Sequence, residues 1–236
     1  MKIIKVKLKI KFKEIIINLF INRMENLLQI SPVDSRYIEK TRELREYFSE
    51  FALNRYRLRV EIEYLIALCE RRTPHFDLGI ELSREETRFL KNIYKEFTPE
   101  DCLNLKEIER KINHDVKAVE YYIREKVRGF KPELENYVHF ALTSQDINSS
   151  ANMLAIKDVI EDPYSTLIET LNSHILNLSF EWKDIPLLAR THGQPASPTI
   201  LGKEFHVYFE RIYNQFKEMS YIKYRTKFGG ATGNFN

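Results

Sequence analysis

Six histidines occur in the 236-residue sequence, and their surroundings single out three of them. His192 sits in Ala189-Arg190-Thr191-His192-Gly193-Gln194-Pro195-Ala196, where Gly and Pro favour a loop that leaves the ring facing a cavity. Imidazole gains and loses a proton near neutral pH, so an acid is available there. His114 is the centre of Asn113-His114-Asp115, three polar side chains beside an apolar stripe through Ile112 and Val116. Such groups either receive a ligand or form a patch solvated by water, and periodicity alone favours the solvated patch. His139 stands about one turn's length before Thr143-Ser144-Gln145-Asp146. That segment has the form of a capping box, whose backbone donors also hold anions. His139 is placed to orient either a side chain or a phosphate. His75, His174 and His206 have no comparable context.

Other chemistries lack their signatures. There is no phosphate-cradling P-loop, no dinucleotide glycine fingerprint, and no His-x-x-x-His or Cys-x-x-Cys pair. Neither a metal nor a nicotinamide cofactor is indicated. Gly229-Gly230-Ala231-Thr232-Gly233 is too short to mean nucleotide binding and reads as a helix stop. The 37 basic and 34 acidic residues leave a net charge of +3, too balanced to argue for nucleic acid, although a small anion remains compatible. Cys69 and Cys102 have neither metal-ligand nor disulfide spacing, so they read as buried, inert thiols in a reduced, cytoplasmic setting. No run approaches the ~20 apolar residues that a spanning helix needs, which argues against membrane insertion.

Helices must position these side chains. With 7 Gly and 8 Pro and apolar residues recurring at three- and four-residue steps, an all-α fold is expected. Residues 1–23 are exceptional, because Lys alternates with apolar residues from Lys5 to Lys13. That segment reads as a binder of acidic surfaces, as an edge strand, or as sequence upstream of a start at Met24; the last is preferred. A helix carrying Leu58, Ile62 and Leu65 is expected to end near Arg71, and a shorter one to begin near Ser83. Thr98-Pro99 opens the most regular helix, whose stripe runs from Leu105 through Ile112 and Val116 to Val127, with Gly129 at its cap. A third long helix runs from the Thr143 cap to about Trp182, kinked at Pro163. Residues 184–198 read as a loop, followed by an amphipathic helix of roughly 35 residues that begins near Leu201 and includes the Gly-rich turn up to Asn236. Lys131-Pro132 marks a boundary between an N-terminal helical domain, 24–132, and a helical-bundle domain, 133–236.

Taken together, ISPVDSRY, KINHDVKAVEYY, VHFALTSQDIN, DIPLLARTHGQPASPTILGKE and GGATGNFN resemble adenylosuccinate lyases of the fumarase and aspartase superfamily. The resemblance spans Met24 to Asn236, the N-terminal half of that family's pattern. It implies elimination of fumarate from adenylosuccinate, giving AMP, and from SAICAR, giving AICAR, with no cofactor, in a cytoplasmic homotetramer. His192 matches the acid that protonates the departing nitrogen, and His114 is implied to assist it. Arg36 and Tyr37 match residues at the substrate's phosphate end. Asn113, His114 and Asp115 match a second binding stretch, and Thr143 and Ser144 a third that holds a succinyl carboxylate. Thr191, beside the acid, is also implied to contact substrate. The family's base is a serine in a Ser-Ser-x-Met-Pro-x-Lys-x-Asn signature that this sequence does not contain, so this stretch alone is expected to be inactive. The alternatives are a non-enzymatic helical remnant or oligomerisation module, and a superfamily member acting on argininosuccinate, malate or aspartate.

Overall fold

Helix α2 (Glu50–Glu70) organises the core of residues 50–236 in a computed structural model that describes residues 29–234. The alternating basic segment at 1–23 lies outside the described residues. Two compact units divide the chain, residues 1–49 and 50–236. In the described part of the first, residues 29–41 form a series of turns, in which the Tyr37 amide donates to the Pro32 carbonyl at 2.9 Å. A 3-10 turn (Arg42–Leu44) and the single-turn helix α1 (Arg45–Phe48) follow.

In the second unit α2 is buried on several faces, which is why it carries so many fully enclosed apolar residues. Leu58, Ile62, Leu65 and Cys69 pack with Leu90 and Tyr94 of α3 (Arg84–Lys95), Leu105 of α4 (Pro99–Ile112), and Val119, Ile123 and Val127 of α5 (Asp115–Arg128). Each fully buried Leu or Ile contributes about 1.5–3 kcal/mol, so this cluster dominates stability. On another face, Ala52 and Tyr56 meet Ala151 and Ala155 of α6 (Ser144–Val159), small residues that let the two helices approach. Cys69 and Cys102 are buried and free, and burial pushes both thiols up.

Helix starts follow the sequence. Ser83 Oγ accepts the Glu86 amide at 3.1 Å while the Ser83 amide donates to Glu86 Oε2 at 2.7 Å. Thr98 and Asp101 repeat this reciprocal cap, with Pro99 in the first turn.

The helix expected from Thr98 to Gly129 is two helices. Asn113 adopts a left-handed conformation with φ 53°, and its amide closes α4 on the Glu109 carbonyl at 2.7 Å. His114 then caps α5, its Nδ1 accepting the Lys117 amide at 3.1 Å. Asn tolerates left-handed backbone better than most residues, so the break is inexpensive. The apolar period survives it because α4 and α5 fold back to face one core. Tyr122 Oη reaches Asp101 at 2.8 Å across that helical hairpin.

The kink at Pro163 is a π turn (Ile160–Tyr164) joining α6 to α7 (Ser165–Glu181). Proline lacks the N–H that a regular turn would need there. The expected loop at 184–198 is instead an antiparallel hairpin, β1 (Pro186–Thr191) with β2 (Gln194–Ile200). Its proline content is tolerated because in a two-stranded sheet each strand is an edge. Helix α8 (Leu201–Ser220) has 20 residues rather than roughly 35. It packs against α7, with Trp182 edge-on to Phe205 at 4.7 Å. Gly202 makes the approach possible, since a Cβ there would meet the Ser179 carbonyl and stand 2.8 Å from Lys183 Cα.

Candidate active site

Two charged side chains on α2 organise the sequence motifs. Arg57 is buried, and its guanidinium donates to Asp115 Oδ2 at 2.5 Å, Asn148 Oδ1 at 2.9 Å and Asn54 Oδ1 at 3.2 Å. It therefore draws together the Asn113-His114-Asp115 turn and the helix that Thr143-Ser144 opens. Burial acts to raise the Asp115 carboxyl, but the Val116 amide and Arg57 outweigh it and hold it below the usual range. Within this turn His114 Nδ1 is committed as a cap, leaving Nε2 for other work.

One helical turn along α2, Glu61 is enclosed and its Oε1 lies 2.5 Å from His139 Nδ1. Burial pushes the Glu61 carboxyl up, while Glu61 raises the His139 imidazole despite the opposing effect of burial. The pair thus holds a proton more tightly than either group alone. Glu61 Oε2 has no hydrogen-bond partner. Glu120, also buried, is neutralised by Lys117 and Arg124, both at 2.8 Å.

His139 and Ala141 have left-handed φ values of 63° and 56°, so the chain turns sharply just before the third motif. Thr143 and Ser144 are half-buried at the start of α6. The Thr143 amide donates to Asp146 Oδ2 at 3.0 Å, the carboxylate half of the expected cap. The amides of Ser144 and Gln145 have no carbonyl behind them in the helix and remain suited to an anion. Asp146 does not repel that anion as a bare charge, because Lys227 Nζ lies 2.7 Å from its Oδ1. The glycine segment closes on the same carboxylate: Gly229 donates to Oδ1 at 3.0 Å and Gly230 to Oδ2 at 3.3 Å. A groove of about 390 Å³ lined by Tyr64, Arg71, Phe76, Phe140, Phe228 and Gly230 opens beside this turn.

His192 is exposed at the tip of the hairpin. Thr191 pairs with Gln194, and His192 and Gly193 form the two-residue turn with φ values of 50° and 76°. Both positive angles match a type I′ turn, whose twist suits a hairpin. Among the described residues no hydrogen bond or ion pair joins Thr191 or His192 to the Arg57 network. Arg36 and Tyr37 lie in the first unit, the guanidinium 5.4 Å from the Tyr37 ring centre. Among the described residues no three His, Cys, Asp or Glu side chains converge as metal ligands, and no helix is long and apolar enough to cross a membrane.

Sequence reasoning overlooked Arg57, Glu61 and Lys227. The signal for the first two was present, since they are charges at i and i+4 directly preceding Leu58 and Ile62 of the buried stripe.

Known proteins resemble this chain in sequence and in fold. A lyase family model matches residues 35–236. An adenylosuccinate lyase of Dictyostelium discoideum is 43% identical over 222 residues, covering 91% of this chain and 47% of the relative. Another, from Vibrio cholerae, is 43% identical over 213 residues, covering 89% and 46%. The chain thus spans about half the length of the curated relatives it matches. Among solved structures, a fumarate lyase from Mesorhizobium sp. BNC1 superposes with a TM-score of 0.63 at 23% identity, covering 82% of this chain and 43% of that one. That likeness concerns the helical fold. With the family model matching from Ser35 onwards, this chain belongs to the lyase family and is similar within it to adenylosuccinate lyases.

Proposed function

We propose that this chain supplies the acid and the substrate-holding residues of a lyase that eliminates fumarate from adenylosuccinate, leaving AMP, and from SAICAR, leaving AICAR. The observation that carries this reading is the Arg57 network, which joins Asp115 to the helix opened by Thr143 and Ser144. Similarity to adenylosuccinate lyases over nine-tenths of the chain supports the same reading. A base removes a proton beside a carboxylate of the succinyl group. The carbanion is held as its aci form, and His192 protonates the nitrogen as the C–N bond breaks. Thr143, Ser144 and the first amides of α6 hold a carboxylate. Arg36, with Tyr37, takes the phosphate, for which a guanidinium fork is suited. Asn113, His114 through Nε2, and Thr191 complete the contacts, and Asp115 acts from its pair with Arg57.

The separation of His192 from the Arg57 network in one chain supports a site shared between copies, hence a homotetramer of the whole enzyme. Exposed Leu167, Phe180, Tyr208 and Tyr213 on α7 and α8 provide apolar surface for it. The reduced thiols suit the cytoplasm. The same apolar surface supports a second reading, a non-enzymatic assembly module. The base implied by family resemblance is a serine in a motif this sequence does not contain, so turnover is expected to need that motif.

Fumarate release, followed by ultraviolet absorbance with the serine-containing half supplied, tests the lyase reading. His192→Ala is expected to lower turnover by about 100-fold or more. No fumarate from the reconstituted protein sinks the reading, and assembly by light scattering that ignores His192 then supports the module.

A further inference from the structure

Three features of α2 and its neighbours converge. The two loops that carry the polar motifs both contain left-handed residues, Asn113 in one and His139 with Ala141 in the other. Asn113 bears such backbone at little cost, whereas for His139 and Ala141 it is costly and persists where surrounding structure enforces it. Each loop is tied to α2 by a charged hydrogen bond of 2.5 Å from a buried residue, Arg57 to Asp115 and Glu61 to His139. Arg57 and Glu61 are one turn apart, so their side chains leave the same face of one rigid helix.

Core stability does not require this arrangement. Enclosing a carboxylate with an unpartnered oxygen is costly, and a hydrophobic residue would fill the space more cheaply. Glu61 Oε2 is such an atom. Glu120 next to it pairs with both Lys117 and Arg124, so of these two buried carboxylates Glu61 is the one with an unpartnered oxygen. A buried group that is poorly compensated for stability yet holds a strained loop has a positioning role.

We infer that Arg57 and Glu61 are positioning residues that register the His114–Asp115 turn and the turn from His139 to Ser144 against each other on α2. Neither touches the ligand; each acts through the loop it holds. This rests on the lyase reading for what the loops bind, while the registration itself belongs to the free protein.

The test uses the full chain with AMP as probe. Glu61→Gln, Arg57→Lys and Arg57→Gln are compared with Glu63→Gln, a control on the same helix that pairs with Tyr94 and Lys91. Amide and histidine NMR resonances report the loops, and thermal unfolding reports the fold. Glu61→Gln is expected to move the Thr143 and Ser144 amides and to lower the His139 pKa. The Arg57 variants are expected to move the Asn113 to Lys117 amides. In each folded variant AMP affinity falls at least tenfold, Arg57→Lys losing less than Arg57→Gln, whereas Glu63→Gln changes neither. Unmoved loop amides in folded variants overturn the inference even if wild type binds no AMP, a result that would count separately against the lyase reading. Moved amides with AMP affinity within twofold of wild type also overturn it. Should Glu61→Gln fail to fold, the two Arg57 variants decide by the same criteria.

Discussion

The Gly229 amide lies 3.0 Å from Asp146 Oδ1, joining the glycine-rich segment to the first turn of α6 across 83 positions of sequence. Lys227 closes on the same oxygen and also donates to the Gly230 carbonyl. Burial acts to raise the Asp146 carboxyl, but Lys227 and the amides of Thr143 and Gly229 outweigh it and keep it low. Asp146→Asn removes the charge and turns one acceptor into a donor facing Lys227. The expected cost is about 1–3 kcal/mol, read from urea unfolding. A depressed carboxylate stabilises the fold above its unfolded pKa and stops doing so as pH falls through the folded value. The acid limb of stability should therefore be shallower in Asp146→Asn.

Gly202 is where α8 meets the end of α7, and a methyl group there collides with backbone rather than a mobile side chain. Gly202→Ala is expected to destabilise by about 1–3 kcal/mol. Loss of the Trp182–Phe205 contact should show as a change in Trp fluorescence, because Trp182 is the sole tryptophan. Unchanged stability and emission would contradict the packing described.

Asn113 tests the break between α4 and α5. Asn113→Gly suits φ 53° and should leave stability within a few tenths of a kcal/mol, or improve it. Asn113→Val, β-branched and strained in that region, should cost about 1–2 kcal/mol in the same denaturation assay. Equal effects of the two substitutions would argue for a continuous helix.

Glu86 caps α3 and pairs with Lys131 at 2.9 Å. The Lys131 hydrogen bond, then the Ser83 cap, draw its carboxyl from 4.5 to about 2. Its folded pKa is the lower one, so its contribution is complete above pH 4.5 and fades as pH drops towards about 2. Glu86→Gln should lower the melting temperature at neutral pH, where that contribution is complete, and flatten its dependence on pH in that window.

The helical frame was legible because caps and apolar period are local properties. Ser83, Thr98 and Pro163 each mark an event that the structure contains. The stripe through Ile112 and Val116 misled because a period reports which face is buried, and two helices facing one core preserve it across a break. The hairpin was missed because its prolines and glycine also spell a loop; only pairing between residues such as Leu187 and Thr199 distinguishes the two. Candidate residues near His114 and Thr143 were visible as polar interruptions. The partners that hold them were not, since Arg57 to Asp115 spans 58 positions and Glu61 to His139 spans 78.

The prolines of the hairpin have an effect beyond its local shape. Pro186, Pro195 and Pro198 supply no N–H for another strand to pair with. Leu187, Leu188 and Ile200 are exposed on those strands, and an unprotected ribbon of this kind would recruit further chains edge to edge. The residues that shape the ribbon presenting His192 thereby also guard it against runaway sheet growth.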